Sequence, residues 1–281
     1  MKVIHDITAL RQWRRQLTGP LGFVPTMGNL HAGHLSLVRL AQQHAQHVAV
    51  SIFVNPLQFG AGEDFDRYPR TLAADIEQLE SVGTGLLFAP DAATLFPIPQ
   101  TCHIELPPLA QDLCGRSRPG HFRGVATIVM KLLQLLQPDM ACFGKKDYQQ
   151  LTLIRLMAEA FNVPIEILGG ETLRADDGLA LSSRNQYLSA GQREQAAQLY
   201  ATLTSVAAQV QRHGLHDLTR LENEAEAALA TAGWQPDYIR VRDRRLDPPQ
   251  AATRDLVVLG AARLGETRLI DNLEFIVTTP G

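Results

Sequence analysis

Little in this chain commits it to a membrane, to the cell exterior or to nucleic acid. Of its 281 residues three are cysteine (Cys102, Cys114, Cys142). They cannot all pair within the chain and their spacing matches no zinc-site pattern, so reduced thiols in a cytoplasmic protein are expected. No apolar run reaches the length of a transmembrane helix, and Val125 to Leu136 is broken by Lys131. Met1 to Asp6 has neither an apolar h-region nor a cleavage site, so no secretory signal is expected. There is no internal repeat and no low-complexity tract. Neither sign of charge dominates: a net charge of −3 gives bulk electrostatics no reason to hold nucleic acid or a membrane. What is present, 45% hydrophobic and 20% charged residues, suits a globular protein with a sizeable core in one large or two ordinary domains.

Short β-branched runs alternate with helical patterns over the first 170 residues. Gly22 to Pro25, Val48 to Val54, Leu86 to Ala89, Met140 to Phe143 and Val163 to Leu168 read as buried strands. Leu35 to Gln46, Leu72 to Val82, Val125 to Gln137 and Leu151 to Phe161 carry helical spacing between them. Such alternation predicts an α/β fold, a Rossmann-like doubly wound parallel sheet, with its ligand beyond the carboxyl ends of the strands. After Gly169-Gly170 the pattern changes to two long helical stretches (Ala190 to Arg212, Leu218 to Ala232) and three short runs (Tyr238 to Arg242, Leu256 to Ala262, Arg268 to Asp271). A smaller α+β C-terminal domain is expected, with domains over 1–171 and 172–281 and a cleft that closes over substrate.

Five segments carry chemistry. Pro25-Thr26-Met27-Gly28-Asn29-Leu30-His31-Ala32-Gly33-His34 reads as strand, Gly-containing turn and helix start. Its two histidines, three residues apart, face the same way where unpaired N–H groups and the helix dipole favour an anion. Gly33 removes a side chain where a phosphate would approach. Asn55-Pro56 ends an apolar strand, and Asn55 and Gln58 offer amides to carboxylate and hydroxyl groups; a capping Asn and an exposed Gln are the bland alternative. Gly115 to Val125 sets Arg116, Arg118, His121 and Arg123 among three glycines, an anion-binding loop or simply a basic one. Gly144-Lys145-Lys146-Asp147 follows a strand and offers a cation and a partner for Mg²⁺ or ribose, though surface Lys-Lys-Asp turns are common. Ser182-Ser183-Arg184 offers two hydroxyls and a guanidinium to a triphosphate. From Gly115 to Arg155 seven cations stand against two acids, which suits a small anionic ligand or a solvated basic face. Their joint order, each at a strand end or a domain boundary, favours nucleotide triphosphate chemistry over coincidence.

With these residues the chain resembles the pantoate–β-alanine ligase family, within the nucleotidyltransferase superfamily related to class I aminoacyl-tRNA synthetases, from Met1 to about Leu273. The resemblance implies a nucleotidylyltransferase-type sheet and the ATP-dependent joining of (R)-pantoate to β-alanine through an enzyme-bound pantoyl adenylate. It also implies Mg²⁺ and a cytoplasmic homodimer, with no nucleic acid and no membrane as partners. By this resemblance Met27, Gly28, Asn29, Leu30, His31, Ala32, Gly33 and His34 form the ATP turn, with His34 as proton donor and His31 beside it. Gly144, Lys145, Lys146 and Asp147 form the adenosine and phosphate turn. Leu173 makes a backbone contact to adenine, and Leu181, Ser182, Ser183 and Arg184 close on the triphosphate. Gln58 and Gln150 hold pantoate, Gln58 also reaches toward β-alanine, and Asn55 and His121 support them.

Four positions depart from the family pattern. Glu171 stands where proline is frequent, Lys145 where glutamate is common, and Leu181 for methionine. Ala74 stands beside Asp75 where some members carry a second acid, so Asp75 and Gln78 are weak candidates for a metal and no dedicated metal site is expected; phosphates and water suffice for Mg²⁺. His31, His34, Lys146 and Arg184 are the catalytic candidates, spreading charge over the reacting phosphate while pantoate attacks in line. Two rivals share the turn: a nucleotidylyltransferase that releases an adenylated product, and a nucleotide sensor on a degenerate scaffold.

Overall fold

The computed structural model describes residues 1–278; of the expected C-terminal domain, 279–281 lie outside them. The chain divides into two compact units, Met1–Lys145 with Gln150–Glu171, and Lys146–Gln149 with Thr172–Gly281.

The first unit holds a six-stranded sheet, all of whose pairings are parallel. Its strands are β1 (Lys2–Ile4), β2 (Leu21–Thr26), β3 (His47–Ile52), β4 (Leu86–Phe88), β5 (Met140–Gly144) and β6 (Glu166–Gly170), in the order β1-β4-β3-β2-β5-β6. Leaving out β1, this is the doubly wound order, and it reverses between β2 and β5, where such sheets open a crevice for a ligand. Strand periodicity divides the core in two. Phe23, Ala49, Leu86, Phe88, Ala141 and Phe143 pack in one cluster with Leu10, Val125, Val129 and Leu151. The intervening residues Val24, Val48, Val50, Leu87 and Cys142 pack in another, with Leu37, Val38, Ala41 and Leu79. One face is therefore covered by α1 (Ile7–Gln16), α6 (His121–Leu136) and α7 (Tyr148–Ala160), the other by α2 (Ala32–His44) and α3 (Leu72–Ser81). Two one-turn helices, α4 (Ala92–Leu95) and α5 (Cys114–Ser117), lie between β4 and α6. Gly22 lets α2 approach β2: a Cβ there would stand 3.1 Å from that of Ala41.

The second unit is a three-stranded antiparallel sheet of β7 (Gln235–Asp243), β8 (Asp255–Leu264) and β9 (Thr267–Ile276), in that order. Leu199, Leu203, Val206 and Val210 of α9 (Gln198–His213) pack with Leu221, Ala225 and Leu229 of α10 (Leu218–Thr231) on Ile239, Val241, Leu256 and Val258. Buried Glu222 accepts from Val241 N at 2.8 Å and Glu226 from Ile239 N at 2.9 Å, tying α10 to β7 through main-chain donors.

The expected strands are all present, within a few residues. β1 and α1 were not expected, and the single helix expected over Ala190 to Arg212 is two: α8 (Ala190–Gln195) and α9 are separated at Ala196-Ala197. Ala196 is fully buried at that break, so packing rather than a helix-breaking residue sets it. Cys102, Cys114 and Cys142 are unbridged, and burial pushes the Cys142 thiol up to about 12.

Candidate active site

The turn after β2 is held from below. Gly28 (φ 82°) and Asn29 (φ 49°) adopt left-handed conformations, which aims the following N–H groups at α3. There the buried Asp75 accepts from Asn29 N at 3.0 Å and Leu30 N at 2.8 Å, and from Thr71 Oγ1 at 3.2 Å. Gln78 donates to Leu30 O at 3.3 Å. Both residues considered for a metal therefore act on the turn itself: the Asp75 carboxylate already accepts three hydrogen bonds. Among the described residues no group of three or more His, Cys, Asp or Glu is arranged to hold a metal ion.

Beyond the turn, α2 begins with Ala32, and its cap is made of imidazole. His31 Nδ1 accepts from Gly33 N at 3.1 Å and His34 Nδ1 from His31 N at 3.3 Å, a reciprocal capping box. The rings lie 4.1 Å apart, tilted by 47°. Because each Nδ1 accepts a backbone N–H, this hydrogen-bond pattern assigns the proton of each neutral ring to Nε2. The absence of a side chain at Gly33 also serves the cap: a Cβ there would meet His31 Cε1 at 2.9 Å and Nδ1 at 3.0 Å.

After β3 the chain makes a short turn over Pro56–Gln58, capped by Asn55, whose Oδ1 accepts from Leu57 N. Asn55 is 1% exposed; its Nδ2 donates to Gln58 Oε1 at 3.0 Å and to Gly124 O at 3.2 Å. Gln58 Nε2 in turn donates to Met27 Sδ at 3.1 Å, which links this turn to the first. Gly124 is the contact point, since a Cβ there would stand 2.0 Å from Leu57 O.

His121 fixes the other side of Gln58. Arg118 Nη1 donates to His121 Nε2 at 2.8 Å, so the Nδ1 proton is the one donated to Gln58 O, also at 2.8 Å. Glu63 completes the relay with two bonds to Arg118 at 2.6 and 2.8 Å. Burial pushes the Glu63 carboxyl up, but the Arg118 hydrogen bond and charge outweigh it and hold the pKa below the ordinary value. Of the two readings left open for Gly115 to Val125, an anion-binding loop or simply a basic one, the ion pairs are in keeping with the second. Arg116 pairs with Asp112, Arg118 with Glu63 and Arg123 with Glu105, so the loop's guanidiniums already face carboxylates.

At the sheet's other half, Gly144 ends β5 in register with Gly170 of β6. The residues that follow the two strands are Lys145 and Glu171, and their side chains pair at 2.5 Å. Two of the departures from the family pattern are thus each other's partners. Gln150 is half-buried in the first turn of α7.

The remaining site residues lie in the second unit. Lys146 Nζ stands 3.9 Å from Asp147 Oδ2, and its carbonyl accepts from Asn272 Nδ2 at 2.9 Å. Leu173 O accepts from Leu181 N at 2.9 Å, closing a hairpin that delivers Ser182, whose Oγ accepts from Arg184 N at 3.3 Å and caps the turn Ser183–Tyr187. Lys146, Ser182, Asn185 and Asp271 line one small pocket. The arginine within that hairpin, Arg174, and its partner Asp271 escaped the sequence reading; the adjacent polar pair Asp271-Asn272 between apolar residues of β9 was the available signal.

A parallel nucleotide-type sheet whose helix α2, after β2, is capped by two imidazoles, with lysine and hydroxyl-guanidinium turns further on, defines an ATP-using enzyme of the nucleotidyltransferase type. A family model for pantoate–β-alanine ligase matches residues 2–274. Pantothenate synthetases of Thiobacillus denitrificans and Neisseria meningitidis serogroup A are each 54% identical over 276 residues, covering 98% of this chain and 97% and 99% of theirs. A pantothenate synthetase structure from Thermus thermophilus superposes with a TM-score of 0.91 at 41% identity, covering 97% of this chain and 99% of its own. A pantoate–β-alanine ligase structure from Francisella tularensis, described as complexed with β-γ ATP and β-alanine, superposes with a TM-score of 0.80 at 33% identity over the full length of both chains. The chain belongs to the pantoate–β-alanine ligase family, and membership selects the ligase over both rivals.

Proposed function

We propose that this chain condenses (R)-pantoate with β-alanine, converting ATP to AMP and pyrophosphate through an enzyme-bound pantoyl adenylate. A pantoate carboxylate oxygen attacks the α-phosphorus of Mg·ATP in line, and the bond to the β-phosphate breaks as pyrophosphate leaves. The β-alanine amine then attacks the acyl carbon of the mixed anhydride; the amide forms, AMP departs, and the amine's proton passes to solvent or to AMP. The observation that carries this reading is the imidazole cap of α2, which sets two rings 4.1 Å apart at a helix N-terminus, a place that favours an anion.

His34 and His31 serve the α-phosphate as donors, and Lys146, Ser182, Ser183 and Arg184 neutralise the triphosphate. Asp147, Gly144 and Lys145 receive the nucleoside side, with the Leu173 backbone toward adenine. Gln58 and Gln150 hold pantoate, and Gln58 reaches β-alanine. Support for Gln58 comes from the bonds that Asn55 and His121 make to its amide and carbonyl. Mg²⁺ arrives on the nucleotide, held by phosphate oxygens and water as that ion prefers. The C-terminal unit acts as a lid, the enzyme works in the cytoplasm, and it assembles as a homodimer. Among the described residues no helix is long and apolar enough to cross a membrane.

The test is an end-point assay with Mg·ATP, (R)-pantoate and β-alanine, read by mass spectrometry, on wild type and His34→Ala. Pantothenate with equimolar AMP is expected, and the variant should lose about a hundredfold or more in pantoate-dependent pyrophosphate exchange. ADP in place of AMP refutes the adenylate. A His34→Ala rate equal to wild type removes His34 from the mechanism. Sedimentation at working concentration tests the dimer.

A further inference from the structure

β9 carries two adjacent buried polar residues that the proposed mechanism does not use. Asp271 is 5% exposed and Asn272 6%. Asp271 accepts from Arg174 Nη1 at 2.6 Å and Nη2 at 2.9 Å, a bidentate pair. Arg174 also donates to Gly178 O at 3.0 Å and Asn272 O at 3.2 Å, and its guanidinium stacks on Tyr200 at 3.5 Å. Arg174 is therefore immobilised on every side, and with it the hairpin closed by Leu173 and Leu181. That hairpin runs directly into Ser182-Ser183-Arg184. One residue along β9, Asn272 Nδ2 donates to Lys146 O at 2.9 Å. Two residues further, Glu274 accepts from Tyr148 Oη at 2.9 Å and pairs with Arg244. The strand thus grips the Lys146 segment at two points and the hydroxyl loop at a third, and Lys146, Ser182 and Asp271 line the same pocket.

We propose that Asp271 and Asn272 are positioning residues that hold Lys146 at a set distance from the Ser182–Arg184 loop, so that both meet one triphosphate. This rests on the reading that Lys146 and that loop act on the nucleotide. A lysine chain is long and flexible, and its ammonium is placed only as well as the backbone beneath it. The short turn Lys145–Asp147 has too few internal bonds to define that backbone by itself. Asn272 supplies a donor from the sheet. Asp271 supplies the same service to the opposing loop through Arg174, so one strand references both cationic arms.

The test is a double-mutant cycle on the full-length enzyme with Asn272→Ala and Lys146→Ala, read as pantoate-dependent ATP–pyrophosphate exchange and thermal unfolding. Asn272→Ala should lower exchange kcat about tenfold, the loss expected of one hydrogen bond, with KM for pantoate unmoved. In the Lys146→Ala background the same change should add nothing, because there is no ammonium left to place. Asn272→Asp, of equal size but with a carboxylate facing the carbonyl, should behave like the alanine variant and serves if that one does not fold. Effects that add across the cycle, or a kcat loss that tracks only the fall in Tm, overturn the proposal, as does failure of both variants to fold. A Lys146→Ala enzyme with wild-type exchange overturns it in a different way, by refuting the role of Lys146 on which it rests.

Discussion

Asp75 offers the sharpest quantitative test, because its carboxylate has a different job from the metal ligation its charge suggests. It accepts from Asn29 N, Leu30 N and Thr71 Oγ1, at 1% exposure. In Asp75→Asn the volume is kept but one oxygen becomes an NH₂ group, and a donor then faces a donor at Asn29 or Leu30. One charge-assisted hydrogen bond is lost and a buried N–H is left unpaired, together costing about 3 kcal/mol. For a domain of this size that lowers Tm by roughly 6–12 °C. The turn also carries His31 and His34, and a displacement of about 1 Å in such groups reduces turnover by about a hundredfold. Differential scanning calorimetry and pyrophosphate exchange at two Mg²⁺ concentrations read both effects. The expected result is a lower Tm and slower exchange that extra Mg²⁺ does not restore. Recovery on raising Mg²⁺ would make Asp75 a metal ligand and refute the argument, and so would an unchanged Tm with unchanged exchange.

Three further outcomes follow from the geometry. Gly33→Ala should drive its Cβ into the His31 ring, remove a helix cap at about 1 kcal/mol, and raise KM for ATP more than it lowers Tm. Lys145→Glu should raise KM for ATP by setting two carboxylates side by side, and Lys145→Glu with Glu171→Lys should recover it. Stability should move by no more than about 1 kcal/mol, since Glu171 is exposed. Burial, then the charge and hydrogen bond of Glu274, push the Tyr148 phenol up to about 12, against the opposing pull of Arg244. The folded state thus keeps a proton that the unfolded chain, titrating at about 10, gives up, so stability should fall between pH 10 and 12. Tyr148→Phe should flatten that stretch of the stability–pH curve; an unchanged slope would refute the assignment.

Much of the parallel sheet was legible because β2 to β5 are short, largely buried apolar runs followed by turn residues such as Gly28, Asn55-Pro56 or Gly144-Lys145. β1 was not, since it opens on exposed Lys2 and buries only Ile4, whereas the equally short β4 is apolar and buried throughout. The imidazole pair, Gln58 and the Lys146 turn were readable as types of residue at strand ends. Their partners were not. Asp75 lies 46 positions from Asn29, and Asn272 lies 126 from Lys146, and nothing local in either stretch announces the other. The partners of the arginines in the Gly115 to Val125 loop were hidden for the same reason, because net local charge does not show that Glu63, Asp112 and Glu105 lie opposite them. The Lys145–Glu171 pair was visible only as two unrelated oddities until the strand register set them side by side.

The anchoring of the lysine turn by the final strand has a consequence for biosynthesis. At ordinary translation rates the 126 positions between Lys146 and Asn272 take about ten seconds to synthesise. When Lys146 is made the nascent chain already has the residues for β1 to β5 and for the imidazole-capped helix, and β6 (Glu166–Gly170) follows early in the interval, while the lysine turn waits for its anchor. A message interrupted before β9 would yield a polypeptide that lacks Asn272, the donor to the Lys146 carbonyl. On that proposal the lysine turn gains its side-chain anchor 126 positions after it is made, so full placement of the ammonium is a late event in synthesis although the turn itself is an early one.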